Sequence, residues 1–596
     1  MRFASRIILV LVLALSLGLM VFSSLQESAV MDELAHIPAG YSYLNNLDYR
    51  LNPEHPPLVK MAAGLPLLFL DLNFPTDIPA WTEKVNGQWD MGHEFLYQAG
   101  NDADQVIQWA RTGPMVLTLI LIIFVYIWSK ELMGEWWALL PVIGVALSPH
   151  FLAHGHYVTT DIGAALGVVI SLYYFNRYLT FPNKKSLIIA GIAFGIAQLT
   201  KFSALILVGH MLVMVLIYAL LRFNKDKHEL KHAFTLIFTY LGRLFLIFTI
   251  GALVIYPLYA ISSINYPPEK QLSDTTAIIG TNFESPPLSY LANATIWLSD
   301  KPILRPYAQY SLGILMVLKR TSESNTLYFM GNVDTTGGPK YFPIIYALKE
   351  TLPMLILVGL GIIFAFFGMF KALFKRTPTL REYLDTNLHE FSAMLFVSIY
   401  MLYSVISPLN IGLRHLIPIL PLIYILATGV LKKHSQKDEY IKQLRSSMVI
   451  FLFIWQGAIA LTAFPNYLPY YNDFVGTENG WRYATDSNYD WGQDLKRLGA
   501  FVEENNISKI GVHYFGGGDP TYYMKDRAVL WQSNMGNPIE SGIEWIAISV
   551  NELQNSTAPT VPTFTRDIEK EYRWLQNPTS PDFRVGESIF VYKLSK

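Results

Sequence analysis

The sequence predicts a polytopic α-helical membrane protein of about eleven spans, followed by a small soluble α/β domain. Three observations carry that class. Of 596 residues, 52% are hydrophobic and only 15% charged, a charge content well below that of ordinary soluble domains. Apolar runs long enough to cross a bilayer recur down to about residue 464. From Pro465 onward they stop, and short β-branched and aromatic segments replace them.

The elements follow in order. Residues 7–25 form the first span, behind Arg2 and Arg6. No A-x-A site follows before Asp32, so the segment reads as a retained anchor rather than a cleaved signal. Met61 to Leu70 is too short to cross and reads as an interfacial helix. Trp81 to Gln108 is polar and aromatic and reads as a loop. Spans are expected at 113–129, 136–152, 161–178, 187–200, 202–221 and 237–260. The fifth and sixth are separated at Lys201, because an ammonium is cheaper at an interface than at midplane. A long polar connection runs from Ser262 to about Glu350, with an amphipathic piece near Ala308 to Lys319 and a loop from Gly331 to Lys340. Further spans are expected at 351–370, 391–406, 416–431 and 447–464. Beyond them, Lys509 to Phe515, Trp545 to Val550 and Ile589 to Lys593 read as strands and Gln493 to Glu504 as a helix. Gly516-Gly-Gly-Asp-Pro reads as a turn, since it lacks the lysine of a phosphate loop. The domains expected are a membrane module, 1–464, with outer loops 25–112 and 261–350, and an extracytoplasmic α/β domain, 465–596.

Basic residues set the orientation. One series of connections holds Arg2 and Arg6; Lys130; Arg177, Lys184 and Lys185; Arg222, Lys225, Lys227 and Lys231; Lys371, Lys375, Arg376 and Arg381; and Lys432, Lys433, Lys437, Lys442 and Arg445. The alternate series, apart from Lys201 and Arg414, has no basic residue in its short members. The N-terminus is therefore expected in the cytoplasm and the C-terminus outside, as in a bacterial inner-membrane protein. Net charge of −1 gives no basis for a nucleic-acid partner. With no cysteine, disulfides, thiolate metal sites and cysteine nucleophiles are excluded.

The richest polar stretch is Met31 to Lys60, directly after the first span. It opens with Asp32 and Glu33, places His36 one helical turn beyond Asp32, and reaches Glu54 and His55 among prolines. Ionisable groups beside lipid are costly unless solvated or used, which marks a functional stretch. The same outer side receives His154-Gly-His156-Tyr-Val-Thr-Thr-Asp161, then Lys201, then Asn410-Ile-Gly-Leu-Arg414-His415. Asp161 also fits a helix N-cap, Lys201 a snorkelling lysine and Arg414 an interface anchor. Carboxylates, histidines and cations at one face suit sugar transfer from a lipid phosphate. Phosphate leaves readily, cations stabilise its developing charge, and an aspartate accepts the proton of the incoming hydroxyl. Arginine matches phosphate oxygens with its planar fork.

In this order, Asp32-Glu33 after span one, Asn52-Pro-Glu-His-Pro-Pro, the aspartate entering span four and Arg414-His415 resemble the GT-C glycosyltransferases. The similarity covers about residues 1–430 and is nearest to the protein O-mannosyltransferase and aminoarabinose lipid A transferase group. Gly331 to Pro353, with Lys349-Glu-Thr-Leu-Pro, resembles the mannosyltransferase side. The resemblance implies a GT-C fold, a polyprenyl-phosphate-linked sugar donor, a hydroxyl-bearing acceptor and a site on the outer membrane face among lipids. It implies Asp32 as catalytic base, Glu33 as the group orienting the acceptor or a bound ion, and Asp161 as the second site carboxylate. Arg414, His415, Lys201 and His55 would bind donor phosphate. His55 stands where the family's Glu-Lys-Pro-type segment has lysine. Glu54, His36 and His156 would bind substrate. The metal is unspecified, and a divalent ion is left open.

The competing class is a secondary transporter or lipid-linked sugar flippase, which would show paired repeats, broken helices and ionisable groups at midplane. The topology is directly testable. Cysteines introduced at Asn101 and Asn555 should react with an impermeant thiol reagent in intact cells, and those at Lys227 and Lys437 should not. Labelling at Lys227 with silence at Asn101 reverses the orientation.

Overall fold

The computed structural model describes residues 2–221, 230–280, 283, 285–322, 325–375, 380–434 and 439–595. Of the basic set above, Arg222, Lys225, Lys227, Arg376 and Lys437 lie outside them.

Among the described residues, seven helices are long and apolar enough to cross a membrane. They are Phe3–Ser24, Ala103–Trp137, Asp161–Thr180, Phe202–Leu221, Phe234–Ser262, Leu352–Phe370 and Arg381–Ile406. A bilayer core of about 30 Å needs about 20 residues at 1.5 Å each. The other four expected spans also fall on helix, but on shorter apolar pieces. Residues 136–152 divide into Leu139–Ala146 and Pro149–His154, with Pro149 starting the second. The remaining three coincide with Lys184–Gln198, Leu420–His434 and the apolar part, Ser447–Thr462, of Glu439–Thr462. The expected break at Lys201 is present: its backbone is extended between Lys184–Gln198 and the 3₁₀ turn Phe202–Leu205.

The polar stretches are more ordered than the sequence suggests. Met31–Asn45 is helical and packs on Pro57–Leu67, which overlaps the short helix expected at Met61 to Leu70 but starts earlier, at Pro57. The expected loop from Trp81 to Gln108 is instead a chain of short helices that runs into Ala103–Trp137. The long connection after Ser262 folds into Pro268–Ile279, Pro286–Ser299 and Arg305–Ser322. Proline at the first turn starts the first two of these, where its missing N–H leaves no helical bond unmade. A hairpin follows, β1 (Leu327–Phe329) and β2 (Asn332–Asp334). Its two turn residues, Met330 and Gly331, have φ of 51° and 87°, as a tight primed turn requires.

The C-terminal region is a five-stranded α/β unit. Its strands are β3 (Ile510–His513), β4 (Ala528–Leu530), β5 (Trp545–Ser549), β6 (Phe583–Val585) and β7 (Ile589–Lys593). The order is β4-β3-β5-β7-β6, with β3 parallel to β4 and β5, and β7 antiparallel to β5 and β6. Three of these strands and the helix Leu495–Glu504 match the sequence reading; β4 and β6, three residues each, carry too short a pattern to be seen.

This unit is fastened to the helices. Lys349, fully inside the protein, donates to the carbonyls of Leu468 (3.1 Å), Tyr470 (2.9 Å) and Asn488. His93 pairs with Asp519 at 2.9 Å, and Lys496 with Asp104 at 2.6 Å. A lysine with three carbonyl partners cannot be shortened without stranding buried acceptors, each costing about 1–3 kcal/mol. Lys349→Ala should therefore lower the midpoint of thermal unfolding sharply, whereas exposed Lys593→Ala should not. Equal midpoints would show that Lys349 does not join the two parts.

Candidate active site

Neighbouring residues on a helix point about 100° apart, so Asp32 and Glu33 cannot face the same way. Asp32, on the first turn of Met31–Asn45, faces a cavity of about 610 Å³. Glu33 faces inward and has no exposure. There it meets Arg111 in a two-pronged pair, Oε2 to Nη2 at 2.7 Å and Oε1 to Nε at 2.9 Å. Glu33 also accepts the amides of Val30 (2.9 Å) and Val158 (3.0 Å). Arg111 donates further to the carbonyls of Ser24 and Ser28 at 3.1 and 2.8 Å. Both Glu33 oxygens are thus engaged, and Glu33 does not line the cavity. His156 is likewise away from it, between Glu27 Oε2 at 2.9 Å and the Leu152 carbonyl at 2.8 Å.

At the cavity, Arg414 Nη1 donates to Asp32 Oδ2 at 2.7 Å and lies 3.8 Å from Asp161 Oδ2. Lys201 Nζ donates to Asp161 Oδ1 at 2.6 Å. Asp161 begins its helix, but Thr160 is the cap residue, so the N-cap alternative does not describe how this side chain is used. Lys201 is paired with Asp161, and Arg414 is buried. The two aspartates and two cations balance in charge. Burial opposes ionisation of Arg414, yet Asp32 and Asp161 together hold its pKa above the ordinary value. The indole of Trp491 lies under the guanidinium, 4.2 Å from Cζ to the ring centre.

His36, Glu54, His55, Lys201 and His415 also line the cavity. His36 donates through Nδ1 to the Val158 carbonyl at 2.7 Å and meets the His55 ring edge-on at 5.2 Å. Burial pushes His36 down to about pKa 4, and lowers His55 and His415 as well. Burial therefore disfavours the charged form of all three rings. Burial raises the Glu54 pKa, and its carboxyl accepts from Gln88 Nε2 at 3.0 Å.

Lys60 fixes the loop that carries Glu54 and His55. Its nitrogen, wholly buried, has four acceptors within hydrogen-bond distance for its three N–H groups: Tyr43 Oη (2.8 Å), Asn52 O (2.7 Å), Asn52 Oδ1 (2.8 Å) and His55 O (2.8 Å). The rest of the lining is largely apolar, from Leu205 and Ile206 on one spanning helix, Tyr400 and Tyr403 on another, and Leu315 and Met316 on Arg305–Ser322. Lys319 and Arg320 end that last helix and also line the cavity. Neither has an ion-pair partner among the described residues. Sequence reading gave no site role to either cation, nor to Arg111, Trp491 or Lys60. An arginine abutting a span was the available signal for Arg111; nothing local marks Trp491. Among the described residues, no three His, Asp or Glu side chains gather as a metal site. Asp32 and Asp161, already holding Arg414 and Lys201, do not form a vacant carboxylate pair for an ion.

Residues 102–254 match the family model described as dolichyl-phosphate-mannose-protein mannosyltransferase. The resemblance read from the sequence is met over that stretch. It contains Asp161 and Lys201, while Asp32 and Arg414 lie outside it. No curated protein matches the chain. Among solved structures, the S. cerevisiae protein O-mannosyltransferase Pmt1-Pmt2 complex with its sugar donor aligns at 18% identity and TM-score 0.32, over 44% of this chain and 34% of that one. The chain thus spans about a third of that relative's length. The Archaeoglobus fulgidus oligosaccharyltransferase aligns at 13% identity and TM-score 0.42, over 91% and 70%. ArnT from Cupriavidus metallidurans aligns at 14% identity and TM-score 0.32, over 92% and 93%. Scores at this level fix no residue-to-residue correspondence.

Breaking a buried ion pair from one side costs about 3–5 kcal/mol. Glu33→Ala and Arg111→Ala should each destabilise the fold on that order, while Glu54→Gln, at the cavity wall, should not. Thermal unfolding of the three purified variants checks this. Equal loss in all three would place Glu33 on the same footing as the cavity residues.

Proposed function

We propose that this chain is an inverting glycosyltransferase, moving a sugar from a polyprenyl-phosphate carrier to a hydroxyl acceptor on the extracytoplasmic membrane face. One observation carries the reading. An aspartate–arginine pair, Asp32 with Arg414, opens into a cavity whose apolar lining comes partly from two spanning helices. A lipid carrier could present its phosphate to such a site while its tail stays in an apolar environment. The partial family match supports the same class, and the basic residues support the sidedness.

In this reading Asp32 takes the proton of the acceptor hydroxyl as that oxygen attacks the anomeric carbon. The bond from that carbon to the phosphate oxygen breaks, and polyprenyl phosphate departs with the electron pair. Attack opposite the leaving group inverts the centre. Arg414 holds Asp32 in place and, with Lys201, balances Asp161. Because those four charges cancel, Lys319 and Arg320 supply the surplus positive charge for the phosphate. Asn52, Glu54, Gln88, His36 and His55 form the polar lining that would meet sugar hydroxyls. Glu33 acts by anchoring the Asp32 helix through Arg111.

Purified protein supplied with radiolabelled polyprenyl-phosphate sugars should pass label to a hydroxyl-bearing molecule. Asp32→Asn should lower the rate about 10²–10⁴-fold and retain donor binding. Arg414→Lys keeps one charge but cannot bridge two carboxylates, so it should also slow transfer. Lys319→Gln with Arg320→Gln should weaken donor binding. Near-normal transfer by Asp32→Asn removes Asp32 from the chemistry.

A further inference from the structure

The segment Ser487–Gln493 of the C-terminal unit does not line the cavity, yet it contacts the chain beside both members of the Asp32–Arg414 pair. On the Asp32 side, the Trp491 carbonyl accepts the amide of Met31 at 3.0 Å, one residue before Asp32. Ser28 donates its amide to Gln493 O at 3.1 Å and its hydroxyl to Gly492 O at 2.7 Å. On the Arg414 side, Asn488 Oδ1 accepts the amide of Leu413 at 3.0 Å, one residue before Arg414. Ser487 Oγ donates to the Ile411 carbonyl. That approach needs a glycine at 412: its φ is +129°, and a β-carbon there would lie 2.3 Å from Ser487 Oγ. Trp491 also lies beneath the guanidinium itself. The segment is itself held, by Lys349 on the Asn488 carbonyl and by the Tyr341 hydroxyl, which accepts from Asn488 Nδ2 at 2.9 Å.

We propose that the segment Ser487–Gln493 is a positioning element of the active site, and that Trp491 and Asn488 set the placement of Arg414 against Asp32. One backbone contact, Met31 to Trp491, and one side-chain contact, Leu413 to Asn488 Oδ1, fix where the helix of the base and the turn of the arginine begin. The indole closes one face of the guanidinium, so its fork stays directed at the carboxylates. The α/β unit thereby belongs to the site rather than being an appendage to it. The inference rests on the transferase reading for its purpose, but not for its geometry.

The chain has no cysteine, so Asp32→Cys makes a single thiol at the base position. A thiol beside a guanidinium ionises below its ordinary value of about 8.5. Its pKa is read from the pH dependence of alkylation, with no substrate present. His36, Glu54, Asp161 and Asp486, which also surround this position, are unchanged throughout the series. Arg414→Ala should raise the thiol pKa by about one unit. Trp491→Leu and Asn488→Ala should raise it comparably, and Trp491→Phe, which keeps a ring face, should move it little. Adding Trp491→Leu to Arg414→Ala should have no further effect.

The proposal is overturned if Trp491→Leu and Asn488→Ala leave the pKa unmoved while Arg414→Ala raises it. It is equally overturned if Arg414→Ala itself does nothing. Because Asn488→Ala tests it separately, poor folding of Trp491→Leu does not shield it. Failure of the wild-type chain to transfer label would refute the transferase reading alone and leave this result standing.

Discussion

A guanidinium between two carboxylates is the constraint on which the site depends. Arg414 touches Asp32 from Met31–Asn45 and approaches Asp161 at the start of Asp161–Thr180. Removing one member of such a buried set leaves the others unpaired, at greater cost than the set contributes. The helices carrying the two aspartates, the turn carrying Arg414 and the segment carrying Trp491 are therefore tied to one geometry. Glu33 and Arg111 do comparable work one layer deeper. They fix the first turn of the Asp32 helix to Ala103–Trp137 without entering the cavity.

The distribution of charge divides the cavity into distinct zones. Asp32, Arg414 and Lys201 line it, and Asp161, which does not, pairs with the two cations so that the four charges cancel. The histidines, whose charged form burial disfavours, add hydrogen-bonding capacity. Lys319 and Arg320 lie at the end of a helix that also contributes apolar lining. A ligand with an anionic group between a polar head and a greasy tail matches that arrangement.

Much of this was legible in the sequence. Apolar runs located the spanning helices because a bilayer imposes a minimum length. The clustering of Asp32, Asp161, Lys201 and Arg414 followed from placing each near a helix end on one side. Adjacent residues proved harder: Asp32-Glu33 reads as one motif, yet helical rotation sends the two in different directions. His156, expected to bind substrate, is packed against Glu27 instead and does not line the cavity. Trp491 was invisible because its partner, Arg414, is 77 residues away in another structural unit. The polar stretches read as loops became helices for a similar reason, since their apolar faces are too short for periodicity to stand out.

The hydrogen bonds from Ser28 to Gly492 and Gln493 span 464 residues or more, and this bears on how the molecule is made. A ribosome delivers the first helix and the Asp32 stretch long before residue 491 exists. Until then the amides of Ser28 and Met31 lack their native carbonyl partners, and Arg414 has no indole beneath it. Long-range contacts of this kind form late, because their loop-closure entropy must be met before they stabilise anything. The contacts that flank the Asp32–Arg414 pair are consequently complete only after the last domain emerges and folds. An interrupted or clipped chain would sit in the membrane with its aspartate present but not yet aimed.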